Sequence, residues 1–169
     1  SIDLSEMEVP EFPEISLEDA IKKARENSII LRSQEIKLEQ AKRELEVAKA
    51  NDLSEIEILK LENNLGIAIL DKSIAGQDLD YQVESQWLSY NQANHDIISS
   101  QRSLNQMKEN ETMIKRQVQA GLRNEEEALS AAIGVLHAQS RLISSVRQVY
   151  QAYLELQKLM GTLNEGDLK

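Results

Sequence analysis

From Ser16 onward the apolar residues recur at helical spacing. Leu17, Ala24, Leu31, Leu38 and Leu45 fall every seven residues, with Ile21, Ala41 and Ala48 beside them, a heptad seam of the kind that winds helices around a partner. Ser16 is an N-cap type with Glu18 and Asp19 in the first turn, where the macrodipole favours acids. The pattern predicts a first helix over 17–50, roughly 50 Å long at about 1.5 Å per residue. A second series, Ile58, Leu61, Leu65, Ala68 and Ile69, starts after Ser54. A third holds Val83, Trp87, Tyr90, Ile97, Leu104, Met107, Ile114 and Val118. Between them Gly76 and Gln77-Asp78-Leu79-Asp80 allow two readings: a stop and a new start, or one bent helix running through. The fourth series begins at Asn124 and has two rows, Leu129, Leu136, Ile143 and Tyr150 beside Ala128, Val135, Leu142, Val149 and Leu156, a stripe broad enough to touch more than one neighbour. The expected helices are 17–50, 54–76, 79–119 and 124–160, over about 80 % of the chain against a usual third.

Two segments answer each other 70 positions apart, Ala50 to Glu57 and Ala120 to Glu127. Each reads as a helix stop followed by a helix start. Asn51 and Gly121 tolerate the left-handed conformation that ends a helix, and Ser54 and Asn124 have Glu57 and Glu127 three residues on, the capping-box spacing. Long apolar-periodic segments flank both turns, which predicts a duplicated helical hairpin with both turns at one end of the molecule. The fold class is all-α: long antiparallel coiled-coil hairpins, four helices in a duplicated arrangement. Residues 1–15, with both prolines and isolated apolar residues, read as an extended leader packing as a strap. Residues 16–161 form one elongated domain of repeat units at about 16–78 and 79–161, and 162–169 are a polar tail prone to fray.

Composition agrees with this reading. Six Gly and two Pro among 169 residues leave few helix breakers, and one Phe, one Trp and four Tyr are too few for a large globular core, so burial falls to aliphatic stripes. A net charge of −10 with 29 acids argues against nucleic acid as a partner and disfavours anionic membranes. There is no cysteine and hence no disulfide or thiolate chemistry. No apolar run reaches the roughly 18 residues of a membrane-spanning helix. The chain opens at Ser1, and a secretory signal peptide removed from a precursor is expected.

No constellation for catalysis stands out: there is no Gly-rich phosphate loop, nucleophile elbow or His/Asp/Ser set. His95 and His137 fall on separate helices without the spacing of metal ligands, and neither a metal nor a cofactor is expected. Glu125-Glu126-Glu127 reads as a first turn obeying the macrodipole rather than as a cation patch. Trp87, Tyr90, Tyr150 and Tyr153 read as packing between helices rather than as a ligand groove.

The stretch Leu17-Glu18-Asp19-Ala20-Ile21, with Ala24, Glu26 and Asn27, and the Glu/Ala/Lys-rich arm after it resemble the opening of outer-membrane efflux channels of the TolC family. Val118-Gln119-Ala120-Gly121-Leu122, Glu126-Glu127-Ala128-Leu129, Ala138-Gln139-Ser140, Val149-Tyr150-Gln151-Ala152-Tyr153 and Leu159-Met160-Gly161 resemble that family's second half. The resemblance covers most of 16–161. It implies a trimer whose hairpins build a tubular α-barrel and whose turns meet a periplasmic adaptor protein. By that resemblance Asn51, Asp52, Leu53, Gly121, Leu122 and Arg123 are the partner-binding residues, and the location is extracytoplasmic, in the periplasm or cell envelope. The family's membrane strands have no counterpart here, since 72–86 lacks the length and alternation for two strands of about ten residues each.

Two functions of different class follow. One is a non-catalytic TolC-like protein of export, efflux or envelope assembly that docks adaptor hairpins and copies of itself. The other is a coiled-coil scaffold or adaptor bundle with no transport role. Oligomeric state separates them, because a self-sufficient bundle buries its stripes internally and stays monomeric.

Overall fold

A computed structural model describes residues 12–162. Four helices account for most of them: α1 (Leu17–Asn27), α2 (Ile29–Ala50), α3 (Glu55–Gln119) and α4 (Glu125–Met160). Of the described residues 89 % are helical, and no strand occurs among them. The fold is all-α, as the periodicity predicts. None of these helices is long and apolar enough to cross a membrane.

Two helix boundaries differ from those expected. The first predicted helix is broken at Ser28, which has extended backbone (φ −68°, ψ 115°) and serves as both the C-cap of α1 and the N-cap of α2. Its hydroxyl accepts from Leu31 N at 3.2 Å. Asn27 is engaged as well, its amide donating to Met160 O at 2.7 Å. Asn and Ser both gain side-chain hydrogen bonds outside a regular helix, and here both gains are collected in one place.

The second difference is a merger. The predicted second and third helices are one continuous α3 of 65 residues, with Gly76 and the proposed repeat boundary at 78/79 inside it. A single interior glycine costs about 1 kcal/mol relative to alanine, too little to stop a helix whose flanks are both packed. One consequence concerns the order of the two reversals. The Asn51 reversal precedes the first residue of α3 and the Gly121 reversal follows its last, so the two cap opposite ends of one helix.

The described residues fall into two compact units. One comprises 15–87 with 156–162 and contains α1, α2, the first part of α3 and the end of α4. Its core holds Ala24, Leu38, Ala41 and Ala48 of the predicted seam, with Ala20, Val83, Leu156 and Met160, while Leu17, Ile21, Leu31 and Leu45 of the seam are half-buried. Small residues at four of these positions let helices approach closely. Trp87 Nε1 donates to Ile15 O at 2.7 Å, and the Arg25 guanidinium grips the Asp80 carboxylate with two donors, Nε lying 2.8 Å from Oδ1.

The other unit comprises 88–155 with the described residues 12–14. Here α3 and α4 bury Ile97, Leu104 and Ile114 with Val135, Leu142 and Val149. The Ser100 and Ser145 hydroxyls pair at 2.8 Å, and Ser145 also donates to Arg141 O. Tyr90, fully buried, donates its hydroxyl to Pro13 O at 2.6 Å. Phe12 meets Tyr150 and Tyr153 edge-on, with centroids 6.0 and 6.4 Å apart. Phe12 and Pro13, at the end of the expected leader, thus contact aromatic side chains of α3 and α4, of which Tyr90 is buried and Tyr150 half exposed. The expectations for 1–11 and 163–169 lie outside the described residues.

Candidate partner-binding turns

The first reversal begins where α2 runs out. Asn51 N donates to Val47 O and Leu53 N donates back to Ala48 O at 3.2 Å, the six-to-one bond of a Schellman ending. The left-handed residue is Asp52 (φ 50°), whereas Asn51, expected to fill that position, has φ −98°. Asp is one of the few non-glycine types that adopt this conformation at modest cost. Ser54 then opens α3 through a complete capping box. Glu57 N donates to the Ser54 hydroxyl, and Glu57 Oε2 accepts from both Ser54 N (3.2 Å) and Ser54 Oγ (2.6 Å). Those bonds to the ionised form hold the Glu57 carboxyl below its ordinary pKa.

The second reversal repeats the device with glycine. Leu122 N donates to Gln117 O and Gly121 N to Val118 O, each at 2.9 Å, and Gly121 has φ 71°. Asn124 and Glu127 form the reciprocal cap, with Glu127 N donating to Asn124 Oδ1 at 2.9 Å and Asn124 N to Glu127 Oε2 at 3.2 Å. Arg123 Nη1 lies 3.1 Å from Glu127 Oε1, so the same carboxylate closes the cap and holds the turn's cation.

The two turns differ in what they offer a partner. A Schellman ending places its second post-helix residue against side chains one turn back. For Leu53 those positions are Val47 and Ala48, both apolar; for Leu122 they are Arg116 and Gln117. Exposure follows this chemistry, Leu53 being 41 % exposed and Leu122 76 %. Leu122 also borders an open groove of about 530 Å³ along the end of α3, with Met113, Arg116 and Gln117 among its walls. Met113 is half exposed. Gln117 Oε1 is buried with no hydrogen-bond partner among the described residues. Asn51, Asp52 and Arg123 are exposed at their turns.

One exposed feature escaped the reading of the sequence. On the first part of α3, Ile56, Leu59, Ile67, Leu70, Ile74 and Tyr81 are each more than half exposed. Steps of three and four residues through Asn63 and Gln77 place them on a single helix face, opposite Leu61, Leu65 and Val83. On α4 the two predicted rows separate: Val135, Leu142, Val149 and Leu156 are buried, while Leu129 and Leu136 remain exposed. No group of three His, Cys, Asp or Glu side chains among the described residues could hold a metal. No protein-family model matches the chain, and no curated protein matches it.

Proposed function

We propose that this chain is a non-catalytic, TolC-like extracytoplasmic protein of export, efflux or envelope assembly, working by adaptor docking at a chain reversal and by self-association along its flanks. The observation that carries the docking part is Leu122, an apolar residue 76 % exposed on a backbone fixed by two Schellman bonds and a reciprocal cap. A rigid turn presenting an uncovered leucine beside a methionine-bearing groove has the features of a docking point, since the ordering cost is met before the partner arrives. Leu53 has apolar neighbours available within its own turn, so Gly121, Leu122 and Arg123 rank ahead of Asn51, Asp52 and Leu53. The partner class is an adaptor with a helical hairpin, and the self-association it implies makes a homotrimer one outcome to look for.

The scaffold reading has one observation in its favour. The two turns flank one continuous α3, where a duplicated hairpin of the kind that the resemblance implies would have two separate helices between them. The test is to change Leu122→Ser and Leu53→Ser separately and measure far-UV circular dichroism, melting temperature and binding to the cognate adaptor's hairpin domain. Leu122→Ser should abolish binding with an unchanged melt, and Leu53→Ser should weaken it less. Full binding by both folded variants would remove the turns from the mechanism and leave the scaffold in front.

A further inference from the structure

The first part of α3 is apolar on two opposite faces. One face, through Leu61, Leu65 and Val83, is turned toward α1 and α2 and is buried or half-buried; the other, from Ile56 to Tyr81, is bare. At about 1.5 Å per residue the bare stripe is roughly 38 Å long. Its six large side chains are each more than half exposed, and an apolar row of this length on one helix face is the kind of patch that marks an interaction surface.

Charge placement says what covers it. Lys60 and Asp78 are both exposed, and neither makes an ion pair among the described residues. At 100° per residue Lys60 and Asp78 lie on the same flank of the stripe, at equal distances in sequence on either side of Ile69, and the exposed Asp71 lies on that flank between them. In an antiparallel pair of helices each flank faces the identical flank of its partner, which sets one like-charge contact, Asp71 against its counterpart, beside two opposite-charge ones. A two-fold axis near Ile69 and Leu70 therefore sets Lys60 opposite Asp78 of the second copy and Asp78 opposite its Lys60, with Ile56 approaching the partner's Tyr81 and Leu70 close to its own counterpart. We infer that the exposed face of α3 from Ile56 to Tyr81 docks on the same face of a second copy, antiparallel, in an isologous dimer sealed by two Lys60–Asp78 ion pairs. In a parallel pair each flank would face the opposite flank of its partner, so Lys60 and Asp78 would not meet and both ion pairs would be forfeited. The inference rests on the self-association in the proposed function and specifies its contact face; adaptor docking does not enter it.

Sedimentation equilibrium of the full chain should give twice the 19.2 kDa chain mass at micromolar concentrations. Leu70→Glu with Ile74→Glu should abolish association at unchanged helicity, because both side chains are exposed. Lys60→Asp should weaken the dimer at least tenfold, and adding Asp78→Lys should restore it. The chain has no cysteine, so introduced thiols report the geometry directly. Leu70→Cys should cross-link to itself under mild oxidation, Ile56→Cys alone should not, and an equimolar mixture of Ile56→Cys and Tyr81→Cys should. Self-cross-linking of Ile56→Cys would mean a parallel pair, and a trimeric mass would exclude the two-fold; either overturns the inference. Association that survives Leu70→Glu/Ile74→Glu also overturns it while leaving self-association standing. A chain monomeric at all concentrations overturns both.

Discussion

Two glycines share a conformation and differ only in their surroundings, and that difference sets the costs of replacing them. Gly121 and Gly161 both end helices in the left-handed region, at φ 71° and 65°. A Cβ at Gly121 would meet nothing within 4 Å, whereas one at Gly161 would lie 2.6 Å from Asn27 Cβ. Gly121→Ala therefore carries only the left-handed penalty, about 1 kcal/mol. Gly161→Ala carries the same penalty and also pushes Asn27 aside. Asn27 is not free to yield, since its amide donates to Met160 O at 2.7 Å, and a part-buried hydrogen bond of this kind contributes about 1 kcal/mol net. The expected costs are about 1 and about 2 kcal/mol, or shifts of a few °C and roughly twice that for a chain of this length. Urea titrations followed at 222 nm measure both, with the slope checked for constancy so that midpoints report stability. Equal costs for the two variants would refute the claim that Asn27 confines Gly161. A neutral Gly121→Ala would refute the left-handed cap itself.

Other expected outcomes are briefer. Asp52→Gly should be neutral or slightly stabilising, because Asp52 already occupies the left-handed region at φ 50° and glycine adopts it without strain; a loss in the urea midpoint would contradict this. Ser28→Ala removes the hydroxyl that accepts from Leu31 N and should cost about 1 kcal/mol by the same titration. Tyr90→Phe removes the hydroxyl bonded to Pro13 O and should cost on the order of 1 kcal/mol, with accelerated proteolysis near residue 13 as an independent reading. Glu57 has a lowered pKa in the folded chain because Ser54 donates to its carboxylate. Its contribution is present above the ordinary value of 4.5 and is lost as pH falls through the lower folded value. Glu57→Gln should accordingly lower stability near neutrality, flatten the acid limb of a stability-against-pH curve and converge with the parent chain at low pH.

Elements whose signal is local were legible in the sequence. Ser54 and Asn124 with Glu57 and Glu127 three residues on fixed both capping boxes, because a cap is satisfied within four residues. The heptad seam through Leu38, Ala41 and Ala48 marked the buried face of α2 for the same reason. Ser28 was hidden inside that seam: Ala24 and Leu31 stay in phase across the break, so periodicity alone bridges it. The cue was Asn27-Ser28, two types that prefer caps, and the tie that holds Asn27 is to Met160, far along the chain. Gly76 erred in the opposite direction, a residue that weakens a helix being read as one that ends it. The order of Asn51 and Asp52 in the turn was not legible either, since both types tolerate positive φ.

The exposed stripe of α3 marks the deeper limit. The series read on this helix is Ile58, Leu61, Leu65, Ala68 and Ile69; it passes over Ile56, Leu59, Ile67 and Leu70, and of its own members Ile69 is 51 % exposed. Periodicity locates an apolar face but carries no information on whether the chain itself covers it. Two apolar faces on one helix were the available clue, because a single antiparallel neighbour covers only one of them. The same holds on α4, where Leu142 and Leu136 belong to rows of equal regularity and only the first is buried. A helix with a surplus face is under-satisfied as a monomer by an amount that scales with bare apolar area. On α3 that area extends over seven helical turns with oppositely charged residues placed symmetrically about its centre, an arrangement that solvation of one chain does not require and that pairing of two would use.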